Sequence, residues 1–106
     1  MSKPGTIAVI FVSRLVEDPV GYGEMADDME RLAAEQPGYR GFRSVRDPVT
    51  REGISISYWA DEASAANWKA NAEHLVAQLK SRSWYSNHEV EVATVIRSYR
   101  SPRERE

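Results

Sequence analysis

Residues 6–15 read Thr-Ile-Ala-Val-Ile-Phe-Val-Ser-Arg-Leu, TIAVIFVSRL. The run is rich in β-branched and aromatic residues, the composition of a strand. Successive side chains of a strand point to opposite faces. Ile7, Val9 and Phe11 therefore share one face, and Ala8, Ile10 and Val12 share the other. A strand apolar on both faces must be covered on both. Any architecture that leaves one side of this strand in water is excluded.

Outward from that strand the chain alternates in a simple way. Asp18, Pro19, Gly21 and Gly23 mark a loop. Between Tyr22 and Gln36, Met25, Met29, Leu32 and Ala33 recur at helical spacing. Glu24, Asp27, Asp28 and Glu30 decorate the other side, early acids suit the helix dipole, and Pro37-Gly38 ends the helix. A second strand is predicted over Tyr39–Arg46 and a third over Ile54–Trp59, joined by a turn from Asp47-Pro48 to Gly53, which makes a hairpin. Asp61 is placed to cap a second helix that begins at Glu62. Its apolar face carries Ala65, Trp68, Ala72, Leu75, Val76 and Leu79; Ser64, Asn67, Asn71, His74 and Gln78 form a polar stripe. The pattern allows one helix or two, broken near Ala72 to His74. Residues 81–87 read as a loop with Trp84 and Tyr85, His88–Tyr99 as the last strand, and 101–106 as a charged tail beyond an ordered core of about 6–100.

The order strand, helix, strand, strand, helix, strand predicts one α+β domain, residues 1–106, of ferredoxin-like βαββαβ type with a four-stranded antiparallel sheet. Both helices go to one sheet face. The apolar residues on the other face then call for a second copy of the sheet, giving a homodimer through sheet faces with a barrel-like core.

Composition narrows the classes. With 106 residues there is room for one domain, and a chain this short buries only about 60–65% of its unfolded surface. Self-association would add burial. There is no Cys, so disulfide and thiolate chemistry are excluded, which suits a cytoplasmic protein. The net charge of −2 comes from scattered charges of both signs with no basic stripe, so no nucleic-acid partner is expected. Ile54-Ser55-Ile56-Ser57-Tyr58-Trp59 also lacks the pattern of an RNA-recognition strand. No apolar run is long enough to span a membrane, and Met1–Gly5 lacks the core of a signal peptide.

Several of these stretches resemble the antibiotic biosynthesis monooxygenase domain, a family of the dimeric α+β barrel superfamily. EQPGYRGFRSVRD, residues 35–47, is similar to its first helix end and second strand. SISYWADEASAANWKANAEHLVAQ, residues 55–78, is similar to its third strand and second helix. Tyr58-Trp59, the acidic cap after them and Trp68 are the telling positions. The Ala72-Glu73-His74 run and Trp84-Tyr85 resemble one bacterial branch. The resemblance runs from about Thr6 to Tyr99. It implies a sheet-to-sheet dimer and a pocket between helices and sheet. It also implies an oxygenase that uses neither metal nor organic cofactor and oxidises a small aromatic or polycyclic phenol or quinol to a quinone.

Such an enzyme must let its substrate reduce oxygen, so it needs a water-excluding apolar pocket, a base and donors for the developing anion. His74 is the candidate base, imidazole being the side chain most often used to take a proton. Trp68 is the candidate pocket wall. If the polar stripe faces the cleft, Asn67 and Asn71 become substrate donors, with Met25, Met29 and Tyr58 as further lining. Each has a structural alternative: Trp68 is in phase with Ala72 and Leu75 as core, His74 lies on a stripe that also suits water, and the two methionines suit core filling. Arg14, Arg43, Arg46 and Arg97 fall on strands, where rim ion pairs are the ordinary use of arginine and a cleft anion donor the special one. A non-catalytic dimeric module binding a small aromatic molecule is the alternative function. Haem degradation ranks below both: it needs an imidazole from His74 or His88, and the haem-degrading relatives carry an Asn on the first strand where this chain has none. No spacing of His, Asp and Glu suggests a metal site, and Gly21-Tyr22-Gly23 lacks the setting of a phosphate loop.

Overall fold

The computed structural model describes residues 2–78 and 84–101. The order is β1 (Ile7–Leu15), α1 (Tyr22–Ala34), β2 (Tyr39–Arg46), β3 (Glu52–Trp59), α2 (Glu62–Gln78) and β4 (Tyr85–Thr94). The strands form one sheet in the order β2-β3-β1-β4, with every neighbouring pair antiparallel. This is the βαββαβ arrangement expected from the sequence. α2 is one helix, unbroken at residues 72–74. The assignments of Val76, Gln78 and Leu79 to helix faces, of residues 81–83 to a loop and of 102–106 to a tail lie outside the described residues or side chains.

Several boundaries differ from the predicted ones; β3, for instance, begins at Glu52 and not at Ile54. α1 stops at Ala34, and Gln36 turns its side chain back to donate from Nε2 to the Leu32 carbonyl, 3.1 Å away. β4 starts at Tyr85 and stops at Thr94, so Arg97 is not on a strand. The early start is a pairing effect: Tyr85 reaches Leu15 across a register shift, through polar residues with little strand signal of their own. The early stop is one as well, because β1 begins at Ile7 and the ladder ends with Val95 N–H donating to the Thr6 carbonyl.

Asp61 caps α2 as expected, accepting from the Ser64 amide at 2.8 Å. Hydrogen bonds from Ser64 hold the Asp61 carboxyl below its ordinary pKa. A carboxyl lowered in the folded state stabilises above its unfolded pKa, and that contribution fades as pH falls through the lowered value. The β2–β3 turn is held by Asp47, whose Oδ1 accepts from the Val49 and Thr50 amides.

The registers lay out the sheet face turned away from the helices as three rows across β2, β3, β1 and β4. They are Gly41–Tyr58–Ala8–Ala93, Arg43–Ile56–Ile10–Glu91 and Val45–Ile54–Val12–Glu89. The middle of this face is apolar, and Val12, Val45 and Ile54 are exposed on it. Opposite it, Ile7, Val9 and Leu15 of β1 pack under the helices.

The corner between α1 and β2 is tight. Gly38 has φ +83°, and a Cβ there would lie 2.2 Å from Ser64 Oγ at the start of α2. Its carbonyl accepts from the Ala60 amide at 2.8 Å. Gly38→Ala therefore brings left-handed strain and a steric clash together. It should lower stability by about 1–3 kcal/mol in urea unfolding, whereas Gly23→Ala, in open space, should not destabilise.

Candidate functional site

The helix-covered side holds two packed groups. Ile7, Ala33, Trp59, Ala65 and Trp68 form the first, and Leu15, Met25 and Trp84 the second; Met29 packs against both. Trp59 is fully buried, and its indole N–H donates to Ser57 Oγ at 2.8 Å. Trp68 stacks on it with ring centroids 5.7 Å apart and planes 22° from parallel. Only 6% of Trp68 is exposed. The structure thus brings Trp68 and the two methionines into packing, Met25 against Leu15 and Trp84.

The polar stripe of α2 meets the end of α1. The Asn71 side-chain amide donates to Gln36 Oε1 at 3.1 Å, and that of Asn67 donates to the same oxygen at 3.4 Å. His74, three residues beyond Asn71 on the stripe, is exposed. Tyr58 lies on the other sheet face, where with Lys3, Thr6, Arg40, Arg43 and Arg100 it lines a cavity of about 710 Å³. The proposed site residues are therefore not gathered at one point.

What the second packed group does gather is a set of rings with a cation. Phe11 meets Tyr85 edge-on at 5.1 Å and His88 at 5.6 Å, and Tyr85 meets Tyr22 edge-on at 6.0 Å. Val90 and Val92 continue the same face of β4 and are 42% and 52% exposed. Exposed apolar surface thus lies beside an aromatic wall. Trp84 holds the wall's base, its indole N–H donating to the Val20 carbonyl at 2.7 Å.

Arg46 enters this wall from β2. Its side chain crosses Gly53, where a Cβ would lie 2.6 Å from Cζ. Nη2 donates to Ser13 Oγ at 2.9 Å and to the Tyr22 hydroxyl at 3.2 Å; Nη1 donates to the Arg51 carbonyl at 2.6 Å and the Ser13 carbonyl at 3.4 Å. Cζ sits 5.4 Å from the centre of the Tyr22 ring. The Tyr22 and Tyr85 hydroxyls are hydrogen-bonded, and burial, with a smaller contribution from Tyr22, raises the Tyr85 pKa while Arg46 opposes the rise. The ion pairs among the described residues are Arg14–Glu52, Arg31–Asp28 and Lys69–Glu73. Arg14 is thus the rim arginine that the sequence suggested. Arg46 is half-buried and bonds only to neutral oxygens. Sequence reasoning singled out neither Tyr22 nor Ser13, and left Arg46 among four strand arginines with rim pairing as the ordinary use and a cleft anion donor as the special one; the pairing of Arg46 with Gly53 shows only once the register is known.

A sequence model of the antibiotic biosynthesis monooxygenase family matches residues 22–80, more than half the chain. The chain belongs to this family. Among curated proteins it is 45% identical over 96 residues to the uncharacterized protein YqjZ of Bacillus subtilis, covering 90% of this chain and 83% of that one. Among solved structures, the fold is shared with SnoaB, a cofactor-independent oxygenase from Streptomyces nogalater, at TM-score 0.71 and 14% identity over 89% of this chain and 96% of that one. A conserved protein from Methanosarcina mazei matches at TM-score 0.70 and 12% identity, over 85% and 92% of the two chains. Within this family member, no group of three or more His, Asp or Glu side chains is placed to hold a metal ion among the described residues. No helix among them is long and apolar enough to cross a membrane.

The placements separate structural from chemical weight. Trp68→Ala removes a stacked, buried indole and should cost about 3–5 kcal/mol in chemical denaturation. His74→Ala, on an exposed helix position, should change stability by no more than about 0.5 kcal/mol.

Proposed function

We propose that this family member is a cofactor-independent monooxygenase that oxidises a small aromatic or polycyclic phenol or quinol with molecular oxygen. The observation that carries this reading is the open aromatic wall of Phe11, Tyr22, Tyr85 and His88 beside the exposed Val90 and Val92. A planar substrate laid against that wall loses water from one face, and stacking and edge contacts hold it. Family membership supports the reaction class, and the SnoaB likeness supports a fold able to host it. In this reading, His74 takes the substrate proton from α2, Trp68 backs the pocket through Trp59, and Asn67 and Asn71 set the approach of α1 through Gln36. The alternative, a binding module without turnover, draws on the exposure of His74 and the filled packing around Trp68.

Oxygen uptake with an anthrone or hydroquinone separates the two. The wild type should consume oxygen with quinone formation, and His74→Ala should lower the rate by about 10²-fold or more, the usual loss for a general base. Full activity in that variant removes His74 from the mechanism and passes the role to His88, which lies within the ring cluster. Ligand binding without oxygen uptake selects the binding module.

We also infer that the protein works as a homodimer through the helix-free sheet faces. The three rows on that face put Arg43 on the β2 edge, Glu89 and Glu91 on the β4 edge, and aliphatic residues between them. A two-fold axis parallel to the strands lays β2 over the partner's β4 and sets arginine against glutamate. An axis across the strands would set like charges together, so the pattern favours the first. Sedimentation should give a dimer at micromolar concentration. Arg43→Glu should weaken it, and adding Glu91→Arg should restore it; a wild-type monomer sinks the dimer.

A further inference from the structure

We propose that Arg46 and Tyr22 form an oxyanion site at the aromatic wall, which stabilises the phenolate or enolate form of the aromatic ligand over its neutral acid. The inference rests on the aromatic wall of the preceding section and adds the ligand's charge state and the residues that recognise it.

A half-buried cation is ordinarily matched by a carboxylate, since removing charge from water is costly unless it is paired. The groups that meet Arg46 are Ser13 from β1, Tyr22 from α1, Gly53 from β3 and the Arg51 carbonyl from the turn, with Tyr85 and His88 of β4 beyond Tyr22. None of these is an acid. The acid next to it in sequence, Asp47, is committed to the turn amides of Val49 and Thr50. The guanidinium is thus well hydrogen-bonded, yet its positive charge is left unneutralised among the described residues.

Its position is built. The absence of a side chain at Gly53 lets the arginine lie flat across β3. Two terminal nitrogens are clamped by main-chain and hydroxyl oxygens, which fixes the fork in place. The Nη2 donor then polarises the Tyr22 hydroxyl, which lies at the aromatic wall. A hydroxyl that accepts from a cation strengthens the donor at the end of the hydrogen-bonded Tyr22–Tyr85 pair toward the next oxygen in line. A ligand oxygen at the wall meets a positive potential carried through Tyr22 in a site partly shielded from water, and this favours its ionised form. An ionised phenol or enol is also the form that gives up an electron to oxygen readily, so the site serves the proposed reaction.

The probe is 4-nitrophenol, whose neutral and ionised forms absorb at different wavelengths, with nitrobenzene as a ligand of similar shape that cannot ionise. Bound to the wild type, 4-nitrophenol should ionise at a pH lower than when free by about one unit or more. Arg46→Gln should abolish that shift while leaving nitrobenzene affinity within about threefold. Gly53→Ala is the second variant: it changes no charge but displaces the guanidinium, and it should reduce the shift in the same direction. The site is overturned if the wild type leaves the ionisation of the probe unmoved or does not bind it, or if Arg46→Gln keeps the shift. Oxygen uptake plays no part in this measurement. Failure of turnover with a hydroquinone would remove the oxygenase and leave the oxyanion site standing, and an unshifted probe would do the reverse.

Discussion

Strand β1 takes hydrogen-bonded neighbours along both of its edges, β3 on one side and β4 on the other, and it is apolar on both of its faces. Every other element is placed by satisfying those four sides. The helices cover one face because Ile7, Val9 and Leu15 must leave water there. The antiparallel ladders with β3 and β4 then place Arg43 on one margin of the opposite face and Glu89 and Glu91 on the other. A central strand of this kind turns a local composition into a global constraint, since a slip of one residue would exchange its two faces.

The same ladder controls where chemistry can sit. Near Ile7 and Trp59 the space under the helices is filled: Trp59 is buried, Trp68 stacks on it and Ala33 and Ala65 close the gaps. Toward Leu15 the rings of Tyr22 and Tyr85 pack against a second buried group, and Val90 and Val92, opposite Phe11 and Val9 on the edge strand β4, stay exposed. Close packing at both ends gives this side rigidity, and the exposed edge of β4 leaves apolar surface beside the rings. Trp68, at the Trp59 end, is thus remote in role from the rings even though both belong to the same side of the sheet.

Arg46 shows how a polar group enters such a side without a counter-ion. Its charge is carried by four neutral oxygens, and glycine at position 53 makes the crossing sterically possible. Arg14 illustrates the contrast: on the other face of β1, it pairs with Glu52 at 3.2 Å, largely in water. These two arginines, on β1 and β2 with β3 between them, therefore differ in environment because strand alternation sends them to opposite faces, and only one of those faces carries helices.

The amino-acid sequence by itself determined the element order, the two-faced first strand, the Asp61 cap and the family resemblance. These are local properties: periodicity, capping chemistry and short runs of residues are written along the chain. It also held the phase that makes Trp68 a core residue, because Ala72 and Leu75 share its stripe. Only the tertiary structure decided that β4 begins at Tyr85, that Tyr58 stands on the face away from Trp68, and that Asn67 and Asn71 meet Gln36. It likewise decided that Ser13, Tyr22, Arg46 and Gly53, drawn from three strands and a helix, come together. The physical reason is register. Which residue lies opposite Gly53 depends on where β2 and β3 are locked against each other, and that lock is the sum of a whole ladder and its packing, a quantity no single residue carries.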